Sequence, residues 1–340
     1  MSVRLVLFAL AAVVFSGDAA ARADTLATVK AHGAVTCGAS SAGTPGFSAT
    51  QGKGGAWSGL GADYCRALAS AIFNDPGKVH FVTLQPADRV SALASHQVDA
   101  LADLLPWKMP DDTDQGIKFV GTLFYDGQGF LAPKAAGLQS ARDLAGKEVC
   151  VATEGPEQAQ VAEYFAANNI AAKLETEVNL TSSVADYIAG TCTALTAPIS
   201  VLAQVRSTLA NPGDNVLLPD LIDKEPLSIV VAQGDDRWFD IARWTYYALL
   251  DAEDLSVAQT NVDEMLGSDN ISIRRLLGVE GDFGAAIGLN KDWAYQLIKG
   301  VGNYADLFDR DLGEQSPLKL PRGLNALWSR GGIQYSPPVR

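Results

Sequence analysis

Residues 124–133 read FYDGQGFLAP and residues 228–234 read SIVVAQG. Both are extended, apolar and marked by glycine, and both interrupt the pattern around them. Upstream, Ala34–Gly38 is strand-like, Asp63–Phe73 has helical periodicity and Val79–Leu84 is strand-like. Ala87–His96 is again helical and Val98–Ala102 again strand-like. This alternation predicts parallel βαβ units. A second αβ series runs from Gly146 to about Leu218 through KEVCVATEG, PEQAQVAEYFAANN and SVADYIAGTCTAL. The two extended runs bracket that series, so it reads as an insertion entered and left through a pair of hinge strands. The expected fold class is α/β: two open, mostly parallel sheets forming a clamshell. Residues 24–127 and 234–340 would build the first lobe and residues 128–233 the second. Ligands of such folds sit where the carboxyl ends of strands meet the cleft.

The first residues have a different character. A basic residue at Arg4, an apolar run from Leu5 to Phe15, and small residues at Ala21 and Ala23 form a secretory signal pattern over residues 1–23. A bilayer span needs about 20 apolar residues, more than this run supplies. The protein is therefore expected in the periplasm after cleavage. A net charge of −13 argues against nucleic acid as a partner, because phosphate binding needs clustered Lys and Arg. Four cysteines, Cys37, Cys65, Cys150 and Cys192, suit an oxidising compartment. Three pairings are open. The local one, Cys37 with Cys65 and Cys150 with Cys192, would place one staple in each half.

Residues 103–114, DLLPWKMPDDTD, gather Asp103, Asp111, Asp112 and Asp114 around Trp107. Calcium chemistry would need the spaced twelve-residue loop with its Gly and terminal Glu, which is missing. His32, His80 and His96 show no paired spacing for a transition metal, so no metal or cofactor is expected. No nucleophile elbow or Ser/His/Asp set is visible, and the chain is read as a non-enzyme.

Longer stretches resemble the periplasmic solute-binding proteins of amino-acid ABC transporters (family 3), in particular the general L-amino-acid-binding group. They include TLATVKAHGAVTCGAS, DYCRALASAIF, FYDGQGFLAPK, DKEPLSIVVAQGDDRWFDIARWT, IRRLLGVEGDFG, GLNKDWAYQLIKGVGNYADLFDR and GGIQYSPPVR. The likeness runs from about residue 25 to the C-terminus. It implies a type II two-lobed fold, capture of a small-molecule ligand by lobe closure, delivery to an ABC transporter permease in the inner membrane, and a monomer.

Against that family the pocket motifs diverge. The family's Thr-Thr-Trp element and following Arg, which clamps a ligand carboxylate, read here as Leu105, Pro106, Trp107 and Asp111. The hydroxyl-rich helix start of the second lobe is TEGPEQ, with Glu154, Pro156 and Glu157. The Thr-Asp pair that takes the ligand ammonium is Thr196–Pro198, and Gly61 replaces an Asp at the first helix entry, although Asp63 remains. Carboxylates in those places would repel an ordinary α-carboxylate. The expected ligand-binding set is Phe47, Trp57, Asp63, Asp103, Trp107, Asp111, Tyr125, Glu154 and Glu157, a mixture of aromatic rings and carboxylates suited to a cation or amine. The alternatives on the same fold are a sensory or interaction protein that no longer transports, and a binding-protein-fold enzyme.

Overall fold

The computed structural model describes residues 24–52 and 54–340, so the signal-peptide expectation lies outside the described residues. The strands of the two large sheets are β1 (Val35–Ser40), β2 (Val79–Leu84), β3 (Ala100–Pro106), β4 (Ile117–Asp126), β5 (Gln128–Pro133), β6 (Glu148–Ala152), β7 (Lys173–Glu177), β8 (Ala194–Pro198), β9 (Asn215–Leu217) and β10 (Glu225–Ala232). The first sheet runs β2-β1-β3-β10-β4 and the second β9-β5-β8-β6-β7. Each is mixed. β1 is parallel to β2 and β3, and β6 is parallel to β7 and β8. β10 runs antiparallel to β3 and β4, and β5 antiparallel to β8 and β9. The antiparallel strands are those next to the crossings, where the chain must turn back to re-enter a sheet it has left.

Two crossings join the lobes, the outward one inside the first glycine-marked run and the return upstream of the second. The outward crossing is Asp126–Gly127–Gln128, between β4 and β5. The return was expected near residue 233, but Glu225–Ala232 pairs with β4 from Glu225 opposite Asp126 to Ala232 opposite Ile117. The return crossing therefore precedes residue 225, and β10 belongs to the first sheet. A local apolar run shows that a strand exists, whereas its partner a hundred residues away is set by the tertiary fold. Gly127 sits where the crossings touch: a Cβ there would lie 2.7 Å from the Asp223 carbonyl oxygen.

Packing follows from the patterns. The Leu60–Phe73 helix buries Leu60, Tyr64, Cys65, Leu68 and Ile72, the i, i+4 face of an amphipathic helix covering a sheet. Its start lies so close to β3 that a Cβ on Gly61 would be 1.9 Å from the Ala102 oxygen. Cys37 on β1 is bonded to Cys65 on that helix, and Cys150 on β6 to Cys192 just before β8. The local pairing is the one formed, one staple in each lobe. The second lobe has separate apolar clusters on its two sheet faces, one around Phe130, Val149, Val151 and Phe165, the other around Leu131, Cys150, Leu195 and Leu202.

Candidate functional site

Where the first sheet's strands end against the second lobe there is a crevice of about 400 Å³. The first lobe contributes Ser40 from the end of β1, Thr44, Phe47 and Ser48 from the loop beyond it, and Arg89 at the start of the Arg89–Ala94 helix. It also contributes Asp103 and Pro106 from β3, Asp126 from β4 and Glu225 from β10. The second lobe adds Pro198, Ser200 and Val201 at the start of the Ile199–Thr208 helix. β1 and β3 meet this crevice with their carboxyl ends, as open α/β folds lead one to expect.

The charges here are arranged in two groups. Asp103 is buried and committed: one oxygen accepts from Ser48 Oγ at 2.5 Å and the other is ion-paired with Arg89. Asp126 is only 4% exposed. Its Oδ1 accepts the Gly127 N–H at 2.9 Å and the Ser200 N–H, from the second lobe's helix start, at 3.2 Å. Burial pushes the Asp126 carboxyl up to about 6, with the bonds from Ser200 and Gly127 opposing that rise and the neighbouring Asp223 adding to it. Burial also raises Glu225, followed by the charge of Asp126, while Lys108 opposes. Asp223 itself accepts the Gln128 N–H at 2.5 Å. Asp126, Asp223 and Glu225 thus form a carboxylate group at the crossings, two of them lining the crevice. Beside them Gln128 is 1% exposed; its amide nitrogen donates to the Glu157 carbonyl at 3.0 Å and Thr196 Oγ1 at 2.9 Å, and its Oε1 has no hydrogen-bond partner.

Of the nine residues expected from the sequence, the crevice lining brings together Phe47 and Asp103. Phe47 is packed edge-on against Phe124 at 4.8 Å. The others lie elsewhere. Trp57 stacks on Phe81 at 5.1 Å. Asp63 is held by Arg66 at 2.6 Å and by Arg310 Nε at 2.7 Å, a tie between the Leu60–Phe73 and Tyr304–Asp311 helices. Trp107 stacks on Phe119 at 5.2 Å and lines a different first-lobe cavity. Asp111 falls on the one-and-a-half-turn helix Met109–Asp114, where it accepts from Gln115 Nε2 at 2.6 Å and does not line the crevice. Tyr125 faces a cavity behind the hinge. Glu154 accepts the Leu180 N–H at 3.3 Å, and Glu157 occupies the first turn of the Glu157–Asn168 helix. Gly61 also has a packing role, since the 1.9 Å approach to Ala102 leaves no room for the family's Asp.

Sequence reasoning missed Arg89, Asp126 and Glu225. Asp126 had a signal, lying inside the hinge run FYDGQG. Arg89 and Glu225 had none: Arg89 lies inside the helical run Ala87–His96 and Glu225 inside DKEPLSIVVAQG, and neither pattern marks a crevice.

A general L-amino-acid-binding periplasmic protein of Rhizobium johnstonii, AapJ, is 46% identical over 332 residues, 97% of each chain. The chain belongs to the periplasmic solute-binding proteins of amino-acid ABC transporters. A glutamate/glutamine/aspartate/asparagine-binding protein of this family from Rhodobacter capsulatus, BztA, is 42% identical over 94% of this chain and 95% of its own length. Among solved structures, a periplasmic binding protein of an ABC transporter from Brucella ovis with glutathione bound is 46% identical. It superposes with a TM-score of 0.77 over 94% of this chain and all of that one. No family model matches the chain. The family's two-lobed clamshell is the fold described above, and among the described residues no helix is long and apolar enough to cross a membrane.

Proposed function

We propose that this protein is the periplasmic capture component of an amino-acid-type ABC transporter, and that its crevice takes a small solute presenting a cationic amine. The observation that carries this reading is the pair Asp126 and Glu225, two carboxylates with raised proton affinity lining one crevice, against a single guanidinium already paired with Asp103. An ammonium entering there would restore charge balance and relieve the mutual repulsion of Asp126 and Glu225. Asp126 also accepts from the second lobe at Ser200, so the group that meets the cation helps hold the lobes together. Phe47 and Asp103 keep their place in the proposed site; the polar wall adds Ser40, Thr44 and Ser200. The protein acts as a monomer without a cofactor, exported by its N-terminal signal and handing cargo to an inner-membrane permease.

A second reading has an observation of its own. Arg89 reaches the crevice, and a 46% identical structure holds glutathione. A carboxylate-bearing cargo could be taken by Arg89 if Asp103 released it. Thermal-shift measurements with putrescine, spermidine, lysine, arginine, glutamate and glutathione separate the two, since a crevice ligand raises the melting temperature by mass action. The amine reading expects the polyamines and basic amino acids to stabilise the protein and glutamate to leave it unchanged. Stabilisation by glutamate or glutathione that disappears in Arg89→Ala would establish the second reading.

A further inference from the structure

Behind the hinge lies a second and larger cavity, about 700 Å³. Neighbouring residues divide between it and the crevice: Tyr125 and Ile199 line this cavity, whereas Asp126 and Ser200 line the crevice. Its walls come from both lobes, the return crossing and the C-terminal segment. Tyr125 belongs to the outward hinge strand, Leu217 to β9 of the second lobe, Leu221 to the return crossing, and Leu320 and Leu324 to the C-terminal segment. That segment is fastened on both sides. Asn325 accepts the Tyr125 N–H at 2.7 Å, and Arg206, from the second lobe, donates to the carbonyls of Leu318 and Lys319.

The cavity is apolar with a cationic rim. Arg322 is engaged, donating to Glu253 at 2.9 Å and lying over the rings of Tyr304 and Phe308. Arg330 makes a looser ion pair with the same Glu253, at 3.7 Å, and its side chain is 55% exposed, so it can turn toward an anion in the cavity. The segment carries the opposite charge from the rest of the chain, because residues 315–340 contain Lys319, Arg322, Arg330 and Arg340 and no Asp or Glu, within a protein of net charge −13. Asp254, which accepts from Ser329 Oγ at 3.3 Å, is not part of the lining.

We propose that this cavity is a second ligand site, for an amphipathic monocarboxylate: a short apolar chain against Leu217, Leu221 and Leu324, with its single negative charge at Arg330. Because its walls come from both lobes and the return crossing, an occupant favours the present arrangement of the lobes and couples to the crevice reciprocally. The site is independent of which cargo the crevice takes.

Isothermal titration of the full chain with octanoate, octanol and octylammonium tests this, the three sharing one tail. Octanoate should bind tightest and octylammonium weakest. Arg330→Glu should weaken octanoate at least tenfold, the worth of one hydrogen bond to a charged group, and Leu221→Asp should weaken it too, by placing a carboxylate against the apolar tail. Arg330 is exposed, so its variant remains decisive even if Leu221→Asp fails to fold. Hydrogen exchange with octanoate present should slow at residues 217–222 and 320–326. The proposal is overturned if octanoate does not bind, if the three ligands bind alike, if Arg330→Glu binds octanoate like the parent, or if exchange slows only around Asp103, Asp126 and Glu225.

Discussion

The proton on Asp126 is under opposing influences. Burial favours the neutral acid, while the N–H groups of Ser200 and Gly127 favour the carboxylate, and the balance leaves the group near 6. If the cargo is an amine, its affinity should be steady above pH 7 and fall as the pH drops through about 6, where Asp126 gains its proton. Asp126→Asn, which keeps an acceptor for Ser200, should bind weakly at every pH and flatten that step; titration calorimetry between pH 5 and 8 checks both. Stability moves the other way. The unfolded carboxyl ionises near its ordinary value of 3.8, so between 6 and 3.8 the native state binds more protons and this group makes the fold more stable as pH falls. Gly61 offers a second test at this scale. A Cβ 1.9 Å from a backbone oxygen cannot be absorbed by a rotamer change, so Gly61→Ala should cost about 3 kcal/mol in urea unfolding. Gly61→Asp, despite supplying the family's residue, should destabilise the fold further and create no ammonium site.

Single elements explain which parts of this were legible in the sequence. Period-two and period-3.6 patterns placed β2 and the Leu60–Phe73 helix, and the four cysteines paired within their own halves. The stretch from Asp103 to Asp114 shows where legibility stopped. It spans a strand end and a short helix, and the two put their carboxylates in different places: Asp103 inside against Ser48 and Arg89, Asp111 on a helix bonding to Gln115. Residue type marked both, but only the orientation of each element distinguishes them. β10 teaches the same lesson, since its pairing with β4 is a long-range fact that KEPLSIVVAQG does not contain. At this scale the Cys150–Cys192 link, closing a loop of sequence separation 42, should contribute about 4 kcal/mol to the second lobe. The double alanine variant should lower the denaturant midpoint accordingly. In the Tyr304–Asp311 helix, burial and the charge of Asp63 hold the Asp311 proton well above the usual carboxyl range, with Arg310 opposing. Stability should therefore decline as pH rises above the ordinary carboxylate range. Asp311→Asn should remove that decline, melting above the parent in alkaline buffer and close to it near pH 4.

Across the whole molecule, the lobes meet through few polar contacts beyond the hinge. Gln204 donates to the Pro45 carbonyl, and Arg206 to those of Leu318 and Lys319, all from one helix of the second lobe to the first lobe and its C-terminal segment. Removing both side chains should favour a more open form. Each of the three hydrogen bonds contributes about 1 kcal/mol, so Gln204→Ala/Arg206→Ala should weaken cargo binding roughly a hundredfold, mainly through faster release. Small-angle scattering should report a larger radius of gyration. The two-lobed plan was readable because glycine-marked extended runs interrupted a regular alternation; of the crevice only Phe47 and Asp103 were, because Asp126 and Glu225 come from strand ends brought together only by the crossings. In the proposed function Asp126 and Glu225 together receive a cation. The most direct test is calorimetric titration of spermidine and of glutamate into the parent, Asp126→Asn/Glu225→Gln and Arg89→Ala proteins at pH 7.5. Spermidine should bind the parent and its binding should be lost in the carboxylate double variant, with glutamate silent throughout. Glutamate binding that survives the double variant and vanishes in Arg89→Ala would contradict this assignment.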